Sequence, residues 1–369
     1  MTLPIKPPFP PMEALHPALE QQRRHPPPIK PPFPPMEALL VDEPPEGDAW
    51  QYEPKWDGFR CLAFRDGGRV QLQSKAGRPL ARYFPDVVAS LLELKAARFV
   101  LDGEIVIPIN KHFSFDELLM RVHPAASRVR KLAAEHPALY IVFDLLVDGR
   151  GRSLVAEDLQ TRRKRLEKFA REQFSSTGAV RLSPATTRLA AARRWFRTAG
   201  NHLDGIVAKR LDLPYGSGTR DGMQKIKHHR TADCVVGGFR YAEGKRVVGS
   251  LLLGLYDDRG RLNHVGFTSS FNAAEKKRIT ALVEPLVGEP GFRGRAPGGP
   301  SRWSTRRSDE WQPLKNKLVV EIEYDHFTGD RFRHGTRLLR WRPDKAPRQC
   351  TMDQVDSAAG RGSAMALLK

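Results

Sequence analysis

The sequence predicts an α+β chain in two domains: a larger domain of antiparallel sheets with flanking helices, followed by a small β-barrel. Three observations predict it. The chain has 369 residues, enough for two hydrophobic cores. Short alternating apolar segments are mixed with segments of helical spacing up to about residue 230. After Ala232 the character changes, and strand-like segments follow one another with a single helix among them.

The chain opens on a repeat. PIKPPFPPMEAL stands at Pro4–Leu15 and again at Pro28–Leu39. Proline at this density blocks helix and sheet, so the segment should be extended. One docking site holds one copy. The copy next to the core should pack, and residues 1–27 should form a loose, disordered extension. Regular structure is expected from about Ala49. Phe59–Phe64 and Arg69–Ser74 flank Asp66-Gly67-Gly68, a hairpin signal. Val87–Leu94 has helical spacing. Phe99–Pro108 is apolar and β-branched, hence a strand. Phe115–Ala134 is expected to be helical and broken at Pro124. Leu139–Leu146 is expected to be a buried strand, Val155–Glu172 and Arg188–Ala199 helices with basic faces, and Gly205–Lys209 and Met223–Lys227 strands.

Beyond a boundary at about 228–233, strands are expected at Cys234–Tyr241, Arg246–Tyr256 and Leu262–Phe267. A helix at Ala273–Val287 and a linker at Gly288–Arg307 follow, and strands at Leu318–Tyr324 and Thr336–Trp341 close the set. Five strands with one inserted helix suggest an OB-type barrel. The expected domains are thus 28–230 and 231–350, with a tail at 351–369 that carries no motif.

Composition narrows the function. No apolar run reaches membrane-spanning length, and the proline-rich start has no apolar signal core, so a protein working inside the cell is expected. Cys61, Cys234 and Cys350 stand far apart, which argues against both a zinc site and a disulfide framework. The formal net charge of +19 favours a polyanionic partner, and nucleic acid is the commonest.

The sharpest motif is EPKWDGFR, Glu53–Arg60. A lysine nucleophile must be neutral to attack phosphorus, and burial with cationic neighbours would move Lys55 that way. Asp57 follows two residues on, Gly58 gives the turn, and Arg60 is placed for a sugar or phosphate. In KIK, Lys225 and Lys227 alternate with Ile226, so both ammonium groups project from one strand face towards phosphate oxygens. Glu104 and Asp204 lie in apolar strands that could bring two carboxylates together. Magnesium needs little more than that beside phosphates and water.

These residues fall into an ordered series. KxDGxR at Lys55–Arg60, LDGEIV at Leu101–Val106, FDLL at Phe143–Leu146, DGIVAKR at Asp204–Arg210, KIK at Lys225–Lys227 and RFRHGTRLLRWRPDK at Arg331–Lys345 run in one order. The order resembles that of the covalent nucleotidyltransferases: DNA ligases, RNA ligases and capping enzymes. EPKWDGFR, TADCVV at Thr231–Val236 and RWRPDK together look like bacterial ATP-dependent DNA ligases of the stand-alone C type or the ligase domain of ligase D. The resemblance implies an adenylyltransferase domain followed by an OB-fold domain. It implies ATP and Mg2+ (Mn2+ able to substitute) as cofactors, and a monomer acting on nicked duplex DNA in the cytoplasm. Lys55 would become the AMP-lysine, with Asp57, Arg60, Asp344 and Lys345 catalytic. Glu53, Arg60, Lys75, Glu104, Phe143, Lys225, Lys227, Arg333 and Arg342 would hold the nucleotide, Phe143 by stacking on adenine. Glu104 and Asp204 would hold the metal. Two positions depart from the family pattern. Asp204 is shorter than the usual glutamate, and Lys75 replaces an arginine, keeping charge but losing the bidentate fork, which Arg78 could partly supply. Other readings are an RNA ligase or capping-type enzyme, and a basic DNA-binding protein with an inert pocket. An NAD-dependent ligase would need further domains and usually four zinc-binding cysteines.

Overall fold

The computed structural model describes residues 28–110, 112–199, 203–227, 230–298, 310–356 and 363–368. The first copy of the repeat and the expected extension 1–27 lie outside them, as does residue 299 onward of the expected Gly/Pro/Arg linker. The N-terminal region carries β1 (Leu39–Leu40), β2 (Trp50–Lys55), β3 (Phe59–Asp66), β4 (Arg69–Ser74), α1 (Pro85–Leu92) and β5 (Arg98–Val106). Then come β6 (Pro108–Ile109), β7 (His112–Phe113), α2 (Phe115–Arg121), α3 (Ala126–Glu135), β8 (Leu139–Val147) and α4 (Leu159–Gln173). Finally β9 (Val180–Leu182), α5 (Leu189–Ala199), β10 (Gly205–Arg210) and β11 (Met223–Lys227) complete it.

Two sheets form. One has the order β1-β11-β10-β2, the other β4-β3-β5-β8-β9. Their alternation sorts the side chains. In the first sheet Tyr52, Ile206, Ala208 and Ile226 turn to one apolar cluster. Glu53, Lys55, Val207, Lys209 and Lys225 therefore turn to the other face. In the second sheet Cys61, Ala63, Leu101 and Ile105 face the largest N-terminal core. Arg60, Asp102 and Glu104 share the opposite face. The polar faces meet across a gap.

Sequence and structure differ at several ends. The second repeat copy begins the fold well before Ala49: Ile29, Phe33 and Met36 pack beside Phe64, Val100 and Tyr215, and β1 runs parallel to β11. β2 is a strand despite Pro54, because it lies at the sheet edge, where a missing N–H is tolerated. The expected helix 155–172 starts at Leu159, since Asp158 caps it by accepting from Thr161 N at 2.7 Å. Its basic face is partly internal. Arg162 donates to both oxygens of Asp144 (2.9 and 3.1 Å) and Arg163 to Ser183 O, pinning α4 to the sheet. The break expected at Pro124 separates α2 from α3.

The C-terminal region has its own core, Ala232 to Val355. It comprises β12 (Arg230–Tyr241), β13 (Val248–Tyr256), β14 (Leu262–Thr268), α6 (Ala273–Val283), β15 (Gln312–Pro313) and β16 (Val319–Tyr324). β17 (Phe327–Thr328), β18 (Arg331–Phe332), β19 (Arg337–Trp341) and α7 (Asp353–Asp356) follow. The five long strands run in the order β14-β13-β12-β16-β19 with α6 inserted after the third. No closed barrel forms among the described residues: β14 and β19 are joined by the Thr268–Thr336 bridge and its hydroxyl bonds rather than by a ladder. α6 stops at Val283, four residues short of expectation, where Pro285 tightens the chain into a 3-10 turn.

Candidate active site

The gap between the sheets is a pocket of about 200 Å3 lined by Glu37, Ala38, Glu53, Lys55, Trp56, Arg60, Lys75, Glu104, Phe143, Val207, Lys209 and Lys225. β2 ends on Lys55, opposite Gly205 of β10. A Cβ at Gly205 would collide with the Ile226 carbonyl. A Cβ at Gly58 would strike the Ile105 carbonyl and Glu104 Cγ. Gly58 thus lets the segment after Lys55 lie close against the strand carrying Glu104, and Gly205 lets β10 lie close against β11, which carries Lys225.

Lys55 Nζ donates to Asp204 Oδ2, and His326 Nε2 lies 2.8 Å from the other oxygen of Asp204. Burial alone would lower the lysine pKa. The charge and hydrogen bond of Asp204, then Glu104 and Asp57, more than reverse this, so the pKa stands above its ordinary value. The lowering expected from cationic neighbours therefore does not occur in this arrangement, because the nearest charges are acids. Asp204 is buried, yet His326 and Lys55 hold its pKa well below the carboxylate range. Glu104 behaves oppositely: burial pushes it up to about 8, with Lys55 and Arg60 opposing. Lys225 is lowered by burial and by Lys55, Lys75 and Lys227.

Arg60 donates to both oxygens of Asp102 (3.0 and 2.6 Å), and Tyr215 donates its hydroxyl to Asp102 at 2.7 Å. Tyr215 accepts from Met36 N at 3.0 Å, so the second repeat copy is wired to Arg60. Glu53 is held by Lys209 and Gln51, each at 2.7 Å. Lys209 and Arg60 stand over the Phe143 ring at 4.5 and 5.3 Å. Lys75 faces Glu37 at 3.6 Å, at the pocket edge.

Of the C-terminal residues singled out in the sequence, the structure brings Arg333 to the site: it donates to Asp57 at 2.7 Å. Lys227 pairs with Asp325 at 3.1 Å rather than lining the pocket. Arg342, Asp344 and Lys345 are elsewhere. Arg342 and Lys345 bond Asp233 at 2.9 and 2.7 Å, and Asp344 pairs with Arg342. Sequence reasoning missed Asp102, Lys209, Tyr215, Asp233, Asp325 and His326. Asp102, Lys209 and Asp233 lay inside quoted motifs. His326 and Asp325 precede RFRHGTR by a few residues, a spacing with no chemical signature of its own.

The regions matched by two family descriptions follow this division. Residues 36–227 match the ATP dependent DNA ligase domain, and residues 244–345 match the ATP dependent DNA ligase C terminal region. The chain belongs to the ATP-dependent DNA ligases. It is 42% identical to DNA ligase C1 of Mycolicibacterium smegmatis over 97% of this chain and 96% of that protein. It is 29% identical to the multifunctional non-homologous end joining DNA repair protein LigD of Mycobacterium tuberculosis over 81% of this chain but 37% of that one. A solved structure of a Lig E DNA ligase shares the fold at TM-score 0.51 and 14% identity, covering 83% of this chain and 100% of that one. This ligase is thus an enzyme that uses ATP and acts on DNA. None of its described helices is long and apolar enough to cross a membrane. Its three cysteines are free and buried.

Proposed function

We propose that this ligase seals nicks in duplex DNA through a Lys55–AMP intermediate, with residues 28–230 as catalytic domain and 231–350 as OB-fold domain. The observation that carries the reading is the convergence of Lys55, Glu104, Phe143 and Lys225, from four different strands, on one pocket. Lys55, released from Asp204 and deprotonated, forms an N–P bond to the ATP α-phosphorus as the bond to pyrophosphate breaks. AMP then passes to the 5′-phosphate of the nick, breaking the N–P bond. Finally the 3′-hydroxyl oxygen attacks that phosphorus and AMP leaves. Phe143 stacks on adenine, Glu53 with Lys209 borders the base, Arg60 reaches the ribose or phosphate, and Lys75 and Lys225 neutralise phosphate oxygens.

Glu104 and Asp204 fit a divalent cation. Glu104 is an acid whose burial leaves it short of positive charge, and Asp204 lies beside the same lysine. No group of three or more such ligands occurs among the described residues, so phosphate oxygens and water would complete the shell of Mg2+ or Mn2+. The ion would supply electrostatic stabilisation of the developing phosphate charge. Arg342, Asp344 and Lys345 would orient pyrophosphate after the C-terminal domain turns them towards the pocket, and Arg333 and Lys227 would act in the arrangement described above. We take the enzyme as a monomer inside the cell, serving DNA repair or recombination. The test is incubation with α-labelled ATP and magnesium, before and after stripping with pyrophosphate, followed by transfer to a nicked duplex. Label on the denatured protein that moves to the nick is the expected result, and a protein that never takes label overturns the reading.

A further inference from the structure

The tail beyond residue 350, which carries no motif, touches both domains. At its near end Thr351 bridges Tyr256, Met352 N donates to Tyr256 O at 3.0 Å, and Val355 enters the C-terminal core. Gln354 accepts from Asp233 N at 3.0 Å and donates to Asp233 O at 3.1 Å, gripping the backbone of the residue that holds Arg342 and Lys345. At its far end a 3-10 turn, Ala364–Leu368, lies on the catalytic domain. Ala364 is fully buried with Trp56, Val106, Ile141 and Ala199, and Leu367 and Leu368 pack beside them. Ser363 N donates to Thr198 O at 2.9 Å. Trp56 follows the nucleophile directly and lines the pocket.

We propose that residues 363–368 are a releasable strap, and that the apolar groove of Trp56, Phe113, Ala199 and Leu203 is its dock, holding the two domains in the arrangement seen here. Seven Cα steps separate Asp356 from Ser363, so a docked strap keeps these anchors within about 25 Å. Arg342, Asp344 and Lys345 are turned to Asp233 in this arrangement, and bringing them to Lys55 requires the C-terminal domain to swing. The far anchor is the one that joins the tail to the catalytic domain, through the Ser363 bond and the contacts of Ala364, Leu367 and Leu368, so its release is what frees the C-terminal domain. The strap opposes lysine adenylylation and favours the arrangement in which His326 and Arg333 meet Asp204 and Asp57. This inference rests on the function proposed above.

The test uses full-length protein. Leu367→Asp with Leu368→Asp, at the part-buried rim of the Trp56 cluster, should undock the strap, and a cooperative melting transition only a few degrees below that of wild type checks that both domains still fold. Pyrophosphate-stripped protein should then take label from ATP about three- to tenfold faster than wild type, and pre-labelled protein should pass AMP to nicked DNA more slowly by a similar factor. The opposite variant, Ser363→Cys with Thr198→Cys, joins positions already linked by a backbone hydrogen bond. It should label slowly when oxidised and normally after reduction, the native cysteines being buried. Small-angle scattering gives a readout independent of catalysis: the radius of gyration should rise in the aspartate variant. Unchanged scattering with unchanged labelling in both variants overturns the strap. A wild type that never labels overturns the ligase mechanism instead, while the scattering comparison still decides the strap.

Discussion

Asp57 and Asp233 each hold an arginine of the C-terminal domain, with opposite consequences. Asp57 belongs to the catalytic domain, and its bond to Arg333 at 2.7 Å crosses between domains beside Lys55. Asp233 belongs to the C-terminal domain itself, and its bonds to Arg342 and Lys345 hold those cations within that domain. The basic stretch 331–345 is therefore two sets of residues, one presented to the pocket and one stored against its own sheet. Charge along the chain cannot say which set serves which step. The partner carboxylates separate the two sets in this arrangement.

The comparison is sharpened first against a reference. Lys55→Ala should lower labelling by more than about 1,000-fold, because it removes the proposed nucleophile; measurable label on the variant would mean that another residue is modified. The two basic sets should then separate by step. Arg342→Ala with Lys345→Ala should slow labelling on the order of 100-fold, the scale for losing oriented cations in phosphoryl transfer. Arg333→Ala should leave labelling within about threefold and slow AMP transfer from pre-labelled enzyme to nicked DNA about tenfold, the cost of misplacing a domain by a small distance. Equal effects of the two variants on both steps, followed by rapid quench, would erase the distinction.

The part of the site that was legible in sequence is the part set by local rules. Period-two alternation placed Lys225 on the strand face opposite Ile226, the face that lines the pocket, and the hairpin and its strands followed from Gly67-Gly68 and β-branched runs. The rest was decided by tertiary pairing of long or acidic side chains, which has no local signal. Glu53 is expected from the sequence to hold the nucleotide, with no sign of the Lys209 ammonium that bonds it. Asp102 looked like part of an apolar strand and anchors Arg60. Arg162, on a helix face that reads as basic, is buried on Asp144. Lys227 has the spacing of Lys225, yet Asp325 claims it from the other domain. Pro54 hid β2 because a proline in a strand is tolerated only where the strand lies at an edge, and edge position is a property of the whole sheet.

Glu104 and Asp204 offer a contrast of the same kind that pH can probe. Asp204 has cationic partners and stays ionised, whereas Glu104 is pushed up to about 8. In the empty enzyme, divalent-cation affinity should therefore rise by up to about tenfold per pH unit below 8 and level above it, measured by Mn2+ titration. The stability linkage has a definite sign. A carboxyl with a raised folded pKa gives stability that is present below its unfolded value of 4.5 and lost as pH rises through about 8. Glu104→Gln should thus match wild type in Tm near pH 4.5 and exceed it by about 2–4 °C above pH 8, while flattening the pH dependence of Mn2+ binding. A variant that loses stability at high pH would show that the ionised carboxylate is already satisfied.

The smallest expected effect tests the storage idea directly. If Asp233 holds Arg342 and Lys345 until the C-terminal domain turns, weakening that hold should ease their departure. Asp233→Asn keeps the side-chain shape and one acceptor oxygen but removes the charge that both cations face. It should speed labelling from ATP by about two- to threefold, and it should lower Tm by a few degrees because two partly buried cations lose their counter-charge. Slower labelling would instead make Asp233 part of the geometry that delivers Arg342 to the nucleotide. The two outcomes separate cleanly because Arg342 keeps Asp344 as a partner at 2.8 Å in either case, so the variant changes where the arginine is held without leaving it unpaired.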